Sequence, residues 1–472
     1  MTRVIVIGAG IGGLGCGALL ARAGYEVEVF DKNPFAGGRC SATEMKGFII
    51  DNFVHAFPLG GKGPHAAIAA ELGVDLEFIL QDPAAMIVDG LGGGARSYPQ
   101  RLDIRPLGNR VRMARNMGVK LSNLFGVYRL FQRMLKADEE FVAAKDDMTI
   151  RDFLLEYTDD PQLHRFINVL SFMMFTVPYG RASAGEFIYC FRDMFNAANF
   201  GYVKGSSGAI PDAYRLGLEN SGGRLHLGVG VQSILCEDGG VKGVLVDTGE
   251  IEGDVVVSNA GIHATVAMAG AENMGQEYVE MSRGLIYSDS AVVVKYILDE
   301  PVVEYPFVVY IPDTDAEEMF SYTCADNMPH DVYIFMPVID LWDSSLVPEG
   351  KQLVIAGAAA PNRPSQGDSH AVIEIMERRI FSLFPGFEQH VSWREEVHAE
   401  HIQATTGHPR YADCVGLAQV PGQVGVDKPS PVTPIRGLYL VGTEAGARGI
   451  GTELAAASAL AVSSLVKEGH PL

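Results

Sequence analysis

Residues 4–31 read VIVIGAGIGGLGCGALLARAGYEVEVFD, and this stretch decides the fold of the 472-residue chain. The apolar run Val4–Ile7 predicts a short buried strand, and the alternating pattern of Tyr25–Phe30 predicts a second one. Between them, Leu14–Ala23 predicts a helix of small residues that Gly24 ends. A strand, a glycine-rich turn, a helix and a returning strand form a βαβ unit of the Rossmann type, so the sequence predicts an α/β fold.

The glycine turn after the first strand predicts a dinucleotide site. Gly8 permits the tight turn, Gly10 lets a pyrophosphate approach the backbone, and Gly13 lets the helix pack closely on the strand. Gly12 lies in the same turn, and the helix N-terminus offers N–H groups and partial positive charge to phosphates. Asp31 follows Gly8 by 23 residues, where a carboxylate accepts from ribose hydroxyls and disfavours a 2′-phosphate. NADP is therefore not expected here.

Two further glycine turns favour FAD over NAD. Gly38 and Arg39 come soon after Asp31, and the cation is placed to reach a pyrophosphate. Near the other end of the chain, the predicted strand Gly437–Val441 leads into the glycine-rich stretch 442–451 and then a long predicted helix, Thr452–Lys467. A site closed from both ends of the chain suits an elongated ligand such as FAD, and the second helix N-terminus would stabilise negative charge on the reduced ring.

These motifs resemble the phytoene desaturase and carotenoid isomerase branch of the FAD-dependent amine oxidase superfamily. The resemblance rests on GAGIGGLGCGALLARAGYEVEVFDKNPFAGGRC at 8–40 and GLYLVGTEAGARGIGTELAAASALA at 437–461. Two middle segments support it: Gly201–Pro211, a glycine-rich turn before a helix, and Gly222–Ala260, a strand cluster ending in VVSNA.

The resemblance implies a Rossmann-type FAD-binding domain of the glutathione reductase-2 type, interrupted by a substrate domain. The FAD-binding domain would comprise residues 1–90, 201–285 and 395–472. The substrate domain would have a helical part at 91–200 and a mixed-sheet part at 286–394, with predicted strands at Ser290–Leu298, Asp331–Val338 and Gln352–Ala358. The implied additional FAD contacts are Lys32, Val231, Gly442, Thr443, Glu444, Gly449 and Ile450.

The chain departs from the family near the expected flavin ring. Thr443 and Glu444 stand where Gly-Asp is usual, Asn52 and Phe53 replace a small residue and glycine, and Glu453 stands where small residues are usual. Because these changes lie near the expected flavin ring, substrates other than carotenoids are also candidates.

Three side chains are candidates for catalysis. The resemblance places His55 beside the flavin, with a buried hydrogen-bonding role as the alternative. Arg448 and Glu453 flank the second glycine turn and are candidates to bind an anionic substrate or to act as acid and base. A plain helix-start role is the alternative for both, because an acid near a helix N-terminus is favourable by itself, by ~0.3–1 kcal/mol.

An aromatic-rich stretch and a group of histidines are two further candidate features. Ten of the 37 residues from Phe166 to Tyr202 are Phe or Tyr, which predicts an ordinary helical core and, for several of them, the wall of an apolar tunnel above the flavin. His398, His401 and His408 suggest a metal, but 396–401 predicts a strand, in which residues three apart face opposite sides. No metal site is expected.

The formal charge of −21 hides a strong asymmetry. Residues 96–136, the basic segment, hold ten Lys or Arg against one acid, which makes them +9 and the remainder −30. The acidic remainder disfavours nucleic acid as a partner. The basic segment is a solvated helix face, a membrane-surface dock or a mouth for an anionic substrate such as a coenzyme A thioester.

The cysteine content and the N-terminal residues bear on the cellular compartment. Six scattered cysteines without a CxxC pair, and a chain that runs from Met1 directly into a strand, predict a cytoplasmic protein, with contact at the inner face of the membrane as an alternative.

The predicted function is an FAD-dependent oxidoreductase that removes, adds or moves a C=C bond in a hydrophobic polyprenyl or alicyclic substrate by hydride transfer at flavin N5. The alternatives are a flavin amine oxidase and a non-catalytic prenyl-lipid carrier on the same fold. No second strand–GxGxxG–helix unit is present, so the electron acceptor is left open between a quinone, oxygen and a partner protein.

Overall fold

A computed structural model of the chain describes residues 2–90, 96–101, 103–314, 329–361, 366–407 and 412–470, with the backbone alone at 366–368. The strands in these ranges are β1 Arg3–Ile7, β2 Glu26–Asp31, β3 Ala42–Met45, β4 Phe48–Asp51, β5 Phe78–Leu80, β6 Ala85–Asp89, β7 Arg96–Gln100, β8 Gly201–Val203, β9 Arg224–Leu227, β10 Val231–Glu237, β11 Gly240–Val246, β12 Gly249–Glu252, β13 Val255–Ser258, β14 Ser290–Leu298, β15 Phe307–Ile311, β16 Ile334–Pro337, β17 Gln352–Ala360, β18 Val391–Val397 and β19 Leu438–Leu440.

The α-helices in the same ranges are α1 Ile11–Arg22, α2 Pro64–Leu72, α3 Leu107–Asn116, α4 Leu124–Leu135, α5 Glu139–Ala143, α6 Ile150–Leu155, α7 Pro161–Phe175, α8 Ala184–Ala197, α9 Ala209–Asn220, α10 Ile262–Ala269, α11 Ala271–Met274, α12 Gln276–Gly284, α13 Ile339–Trp342, α14 Gln366–Leu383, α15 Ala399–Thr406 and α16 Gly451–Gly469.

The first sheet is parallel and brings three distant stretches of the chain together. Its strand order is β19-β13-β1-β2-β9, with Ile5 opposite Val256 and Val257 opposite Tyr439. The central strands are continuous apolar runs because a parallel sheet is covered on both faces. Helix α1 packs between α9 and α16, and its glycines allow close approach: a Cβ at Gly15 would lie 3.2 Å from the Tyr214 ring. The predicted βαβ unit is confirmed, with the helix starting three residues earlier than predicted.

Within the described residues, the second sheet has seven strands in the order β18-β14-β17-β16-β15-β6-β7. Its β15–β6 pair is parallel and the other pairs are antiparallel. Strands β14 and β17 are buried along their whole length, which explains their small and β-branched residues. The sheet includes β6, β7 and β18, so the predicted domain boundaries at 90 and 395 fall inside it.

Helices α3 to α8 form the part of the molecule between β7 and β8. The long α7 begins at an Asp160 cap, whose Oδ1 accepts hydrogen bonds from the N–H groups of Gln162 and Leu163. It ends where Thr176 adopts a positive φ of 51°. Helix α4, in the basic segment, has an apolar face on which Val127, Leu130, Phe131 and Met134 are buried.

The prediction of a strand over 396–401 is wrong. Strand β18 ends at Val397, and α15 begins at Ala399 with His398 as its N-cap residue. The backbone turn brings the His398 and His401 rings to 5.7 Å, so the argument that they face opposite sides does not hold.

Candidate functional site

An elongated cavity joins the two sheets. It starts at the turn between β1 and α1, where the parallel strands end, and continues along the face of the second sheet. Ligands of open α/β sheets bind outside the carboxyl ends of the strands. The cavity is therefore the candidate functional site.

Glycines form the wall of the cavity beside β1. A Cβ at Gly10 would lie 2.7 Å from Nδ2 of Asn259, and one at Gly442 would lie 2.6 Å from Oδ1 of the same side chain. A Cβ at Gly13 would lie 2.0 Å from the Gly8 carbonyl oxygen, so Gly13 serves the packing of helix on strand. The predicted glycines that line the cavity are Gly8, Gly10, Gly12, Gly38 and Gly442.

The carboxylate at the end of β2 lies at one end of the cavity. Asp31 is buried, and its Oδ2 and Oδ1 accept backbone N–H bonds from Ala9 at 2.7 Å and Asn33 at 2.8 Å. These bonds hold it beside the glycine turn. Val231, at the start of β10, lines the same end.

Lys32 lines the cavity but is also engaged by a helix. Its Nζ donates to the carbonyl oxygen of Ala404 at 3.2 Å, in the last turn of α15. A cation at a helix C-terminus is favourable because the last carbonyl groups carry partial negative charge. Lys32 thus holds α15 against the end of the cavity that carries Asp31.

Arg39 is held by the segment that precedes β19. Its Nη1 donates to the carbonyl oxygens of Asp413 at 2.9 Å and Cys414 at 2.6 Å, and lies 3.3 Å from Oδ2 of Asp413. Asp413 is buried and lines the cavity beside Arg39. The predicted pyrophosphate ligand therefore also fixes one wall of the site.

Thr443 and Glu444 line the cavity after β19. Glu444 Oε2 accepts hydrogen bonds from the Ile262 N–H at 2.8 Å and the Tyr287 hydroxyl at 3.2 Å. Burial, reinforced by the negative charge of Asp413, raises the pKa of Glu444 to about 7. The carboxyl thus sits at the N-terminus of α10, where the helix dipole favours its charged form.

His55 lines the cavity next to the apolar end. Its Nε2 lies 2.9 Å from the Arg39 carbonyl oxygen. Because a carbonyl oxygen only accepts, Nε2 carries the proton and Nδ1 keeps the lone pair. Burial lowers the pKa of His55 to about 4, so the ring is neutral at pH 7.

Arg448 and Gly449 do not line the cavity among the described residues. The Arg448 guanidinium bonds Asp146 through Nη1 at 2.9 Å and Nη2 at 2.5 Å, and its Nη1 bonds Glu186 at 2.8 Å. The Gly449 N–H donates to the other oxygen of Glu186 at 2.9 Å. The structure does not support Arg448 as a substrate ligand or Gly449 as a cofactor contact, because both are committed to these carboxylates.

Glu453 also lies behind the cavity wall rather than in it. Its side chain is buried, and Oε1 accepts a hydrogen bond from the Leu59 N–H at 2.9 Å. Burial raises the pKa of Glu453 to about 8. The structure does not support a catalytic role for it, since its carboxyl joins the first turn of α16 to the turn before α2. Its neighbours Ile450 and Thr452 do line the cavity.

The far end of the cavity is apolar. It is lined by one face of the second sheet, by the end of α7 and by the segment after β4: Phe53, Val54, Ala56, Phe172, Met173, Met174, Ala291, Val293, Tyr333 and Phe335. From the aromatic-rich stretch, Phe172 and the two methionines reach the cavity, whereas Phe175, Phe187 and Phe191 are core residues.

Several residues that line the cavity were not among the predicted site residues. Asn259 directly follows β13 within the VVSNA stretch, so its position after a strand was the available signal. Thr405 and Thr406 end α15, which the sequence pattern did not predict, and Asp413 lies in the segment that follows this helix. Tyr333 lies directly before β16, and its approach to the cavity depends on how the second sheet packs against α7, which no local pattern reveals.

A histidine metal site has no support in the described ranges, where no group of three or more His, Cys, Asp or Glu is arranged to hold a metal ion. His398 bonds Glu396 at 2.7 Å through Nε2. His401 Nδ1 accepts a hydrogen bond from the His398 N–H at 3.0 Å. His408 lies outside the described residues.

The cavity joins a glycine-lined dinucleotide site to an apolar chamber. This arrangement is typical of oxidoreductases that bind an elongated nucleotide cofactor. A family model for flavin containing amine oxidoreductases matches residues 11–466, and the chain therefore belongs to this family. It uses FAD.

Relatives and solved structures agree with this assignment. The chain is 22% identical over 473 residues to a zeta-carotene-forming phytoene desaturase of Myxococcus xanthus, covering 93% of this chain and 89% of that protein. It is 25% identical over 416 residues to a 4,4′-diapophytoene desaturase of Methylomonas sp., covering 80% and 77% of the two. The fold matches the crystal structure of an oxidoreductase from Methanosarcina mazei with a TM-score of 0.75 at 21% identity, covering 98% and 100% of the two chains.

The residues present fit FAD. Gly8, Gly10, Gly12 and Gly442 line the cavity and form a cradle without side chains, which lets a pyrophosphate approach the backbone. No side chain caps the N-terminus of α1, so its first N–H groups face this cradle, and Asp31 lies at its adenosine side. Gly8, Gly10, Gly12 and Asp31 are the residues that would hold the dinucleotide.

Proposed function

We propose that this protein is a desaturase, which removes two hydrogens from a CH–CH bond of an elongated hydrophobic substrate such as a polyprenyl chain. One observation carries the proposal. The charged side chains that line the described cavity all come from segments beside the glycine turns: Asp31, Lys32, Arg39, Asp413 and Glu444. The other end consists of aromatic, aliphatic and methionine side chains, which suit a flat polyene.

The same observation disfavours an amine as substrate. An ammonium group buried in an apolar chamber costs several kcal/mol, by order of magnitude, unless a carboxylate accompanies it. Among the described residues that line the apolar end, none carries a carboxylate. A hydrocarbon meets no such penalty. The desaturases among the curated relatives support this choice.

The chain's part in the reaction is orientation, exclusion of water and acceptance of a proton. FAD, when bound, supplies the hydride acceptor at N5. Phe172 and Tyr333 line the cavity and stack on each other with ring centroids 5.5 Å apart, which fixes both rings in the apolar wall against which a planar chain would lie. Departure of a hydride leaves a carbocation, whose neighbouring C–H bond is strongly acidic. We propose that Nδ1 of neutral His55 takes this second hydrogen as a proton, a task for which a weak base is sufficient.

Anaerobic bleaching of the flavin by a substrate panel tests the proposal. We expect a polyprenyl polyene in detergent to bleach the flavin, and amines and cyclic acyl-coenzyme A thioesters to leave it oxidised. Bleaching by an amine alone would establish the amine oxidase alternative instead. A protein that purifies without flavin absorbance would support the carrier alternative.

Replacement of His55 tests its role as proton acceptor. We expect His55→Gln to slow bleaching by the polyene about 10²-fold with unchanged flavin content, since positioned acid–base groups contribute about that much. His390→Gln is the matched control, because its ring pairs with Asp299 outside the cavity. An unchanged bleaching rate in His55→Gln would remove His55 from the mechanism.

We also propose that the basic segment docks on an anionic membrane surface, from which an insoluble substrate would be taken. Its described residues expose large apolar side chains among their cations: Leu121 is 82% exposed, Phe125 72% and Leu107 60%. Apolar side chains interspersed with Lys and Arg are typical of helices that lie in the membrane interface. Within the described ranges, no helix is long and apolar enough to span a bilayer.

A further inference from the structure

A hydrogen-bond chain runs from the core of the FAD-binding part to the cavity wall. His65 is 1% exposed, and its Nδ1 lies 2.9 Å from the Tyr214 hydroxyl while its Nε2 lies 3.2 Å from Oγ1 of Thr452. Tyr214 is fully buried on α9, whereas Thr452 lines the cavity in the first turn of α16. The chain thus connects a buried phenol to the inner surface of the site.

The donors and acceptors of this chain follow from its buried end. Within the described part of the molecule, the Tyr214 hydroxyl has one hydrogen-bond partner, Nδ1 of His65. A buried hydroxyl proton without an acceptor is costly, so Tyr214 donates to Nδ1. Burial lowers the pKa of His65 to about 3, so the ring is neutral and its single proton lies on Nε2. Nε2–H therefore donates to Thr452 Oγ1, which leaves the Thr452 hydroxyl proton free for the cavity.

The location of Thr452 relates this donor to the redox end of the site. The Phe57 ring contacts both histidines, with its centroid 5.9 Å from that of His65 and 6.2 Å from that of His55. Thr452 therefore lies on the His55 side of the cavity, away from Asp31. It also belongs to the first turn of α16, where the helix dipole favours negative charge.

We propose that Tyr214 and His65 are positioning residues that fix Thr452 as a hydrogen-bond donor to the cofactor and thereby raise the reduction potential of the flavin. A donor aimed at a group that gains negative charge stabilises its reduced form more than its oxidised form. The inference rests on FAD occupying the cavity with its ring at the His55 end. It does not depend on the identity of the substrate.

The reduction potential of the purified holoenzyme, measured against reference dyes without substrate, tests the inference. In Thr452→Val we expect the equilibrium ratio of reduced to oxidised flavin at a fixed potential to fall about tenfold, which corresponds to ~30 mV for a two-electron couple. Thr452→Ser retains the hydroxyl and should restore the parent value. Ser463→Ala removes a hydroxyl from the same helix, where it bonds the Leu460 carbonyl oxygen, and should leave the potential unchanged.

The upstream residue provides an independent measurement. Tyr214→Phe leaves every cavity side chain in place, but His65 then loses the donor that fixes its tautomer. We expect a smaller fall in the same direction, and no further fall when Tyr214→Phe is combined with Thr452→Val. An unchanged potential in Tyr214→Phe would overturn the inference even if Thr452→Val failed to retain FAD. An additive double variant would overturn it as well. Because no substrate is used, these outcomes do not depend on whether the protein is a desaturase.

Discussion

At the scale of single residues, Arg448 illustrates how a cation beside a glycine turn serves the structure. Its guanidinium is shared between Asp146 and Glu186, which lie near α5 and on α8 in the helical part. The nearby Lys428 is buried and its Nζ donates to the Ala447 carbonyl oxygen at 2.7 Å. Two cations thus accompany two carboxylates, and the cluster fastens the loop before α16 to the helical part.

Removal of the Arg448 charge should destabilise the fold. In Arg448→Gln, we expect the free energy of unfolding in urea to fall by ~3–5 kcal/mol, because two buried carboxylates lose their main counter-charge. Arg394→Gln is the control: Arg394 also bonds two carboxylates, Glu377 and Glu396, but at a more exposed site, where ~1 kcal/mol or less is expected. If Arg448→Gln had the stability of the parent but turned over slowly, the result would contradict the structural role and support a catalytic one.

The roles of single residues were predictable only where the partner is close in sequence. The glycine turn and Asp31 lie within one βαβ unit, and all of the residues expected to touch the dinucleotide there do line the cavity, apart from Gly13. Arg448 and Glu453 depend on partners 302 and 394 residues earlier in the chain. Local sequence shows that these side chains are charged, but not what neutralises them.

At the scale of elements, Glu453 joins the start of α16 to the turn before α2. The folded protein holds its carboxyl with a pKa of about 8, against an ordinary unfolded value of ~4.3. Between these values the unfolded chain releases a proton that the folded chain keeps. The free energy of unfolding must therefore fall as pH rises through this range, by ~1.4 kcal/mol for each pH unit from this group.

The contribution of Glu453 can be isolated by difference. We expect Glu453→Gln to keep the oxygen that accepts from Leu59 and to be more stable than the parent at pH 8, with the advantage shrinking towards pH 5. Urea unfolding of both proteins across this range measures the difference. Glu71→Gln, an exposed position on α2, should show no such pH-dependent gain. A constant difference between Glu453→Gln and the parent would contradict the raised pKa.

Helices and strands were predictable from the sequence where the spacing of apolar residues was clear. They were less predictable where pairing with a distant strand determines the local structure. Strands β14 and β17 were predicted, because each is a clear run of apolar residues. Strand β7, in the sequence RSYPQ, has no apolar alternation and exists because it pairs with β6 at the edge of the second sheet. Helix α15 was missed for a related reason: the pattern of β18 continues into it, and the end of the strand is set by the N-cap at His398.

At the scale of the whole molecule, the positive charge of the basic segment is concentrated in the helical part. Helices α3 and α4 carry five of the ten cations of the basic segment, on a body whose formal charge is about −30 without it. Some of its cations are already engaged: the Arg133 guanidinium lies 3.6 Å from the centroid of the Phe141 ring, and Arg105 Nε bonds Asp103 at 2.7 Å. Charge reversal at Arg133 would therefore disturb packing as well as docking. The exposed apolar side chains are the cleaner target.

Vesicle binding decides whether this surface docks on membranes. We expect the parent to sediment with vesicles of anionic phospholipid, and to bind them more weakly at high salt because screening reduces the attraction of each cation. The double variant Leu121→Glu with Phe125→Glu should bind at least tenfold more weakly, since insertion of a side chain of this size contributes ~1.5–3 kcal/mol. Val426→Glu is the matched control, as Val426 is 93% exposed and lies outside the basic segment. Equal binding of the double variant and the control would refute docking through this surface, and the basic segment would then be either a solvated helix face or a mouth for an anionic substrate.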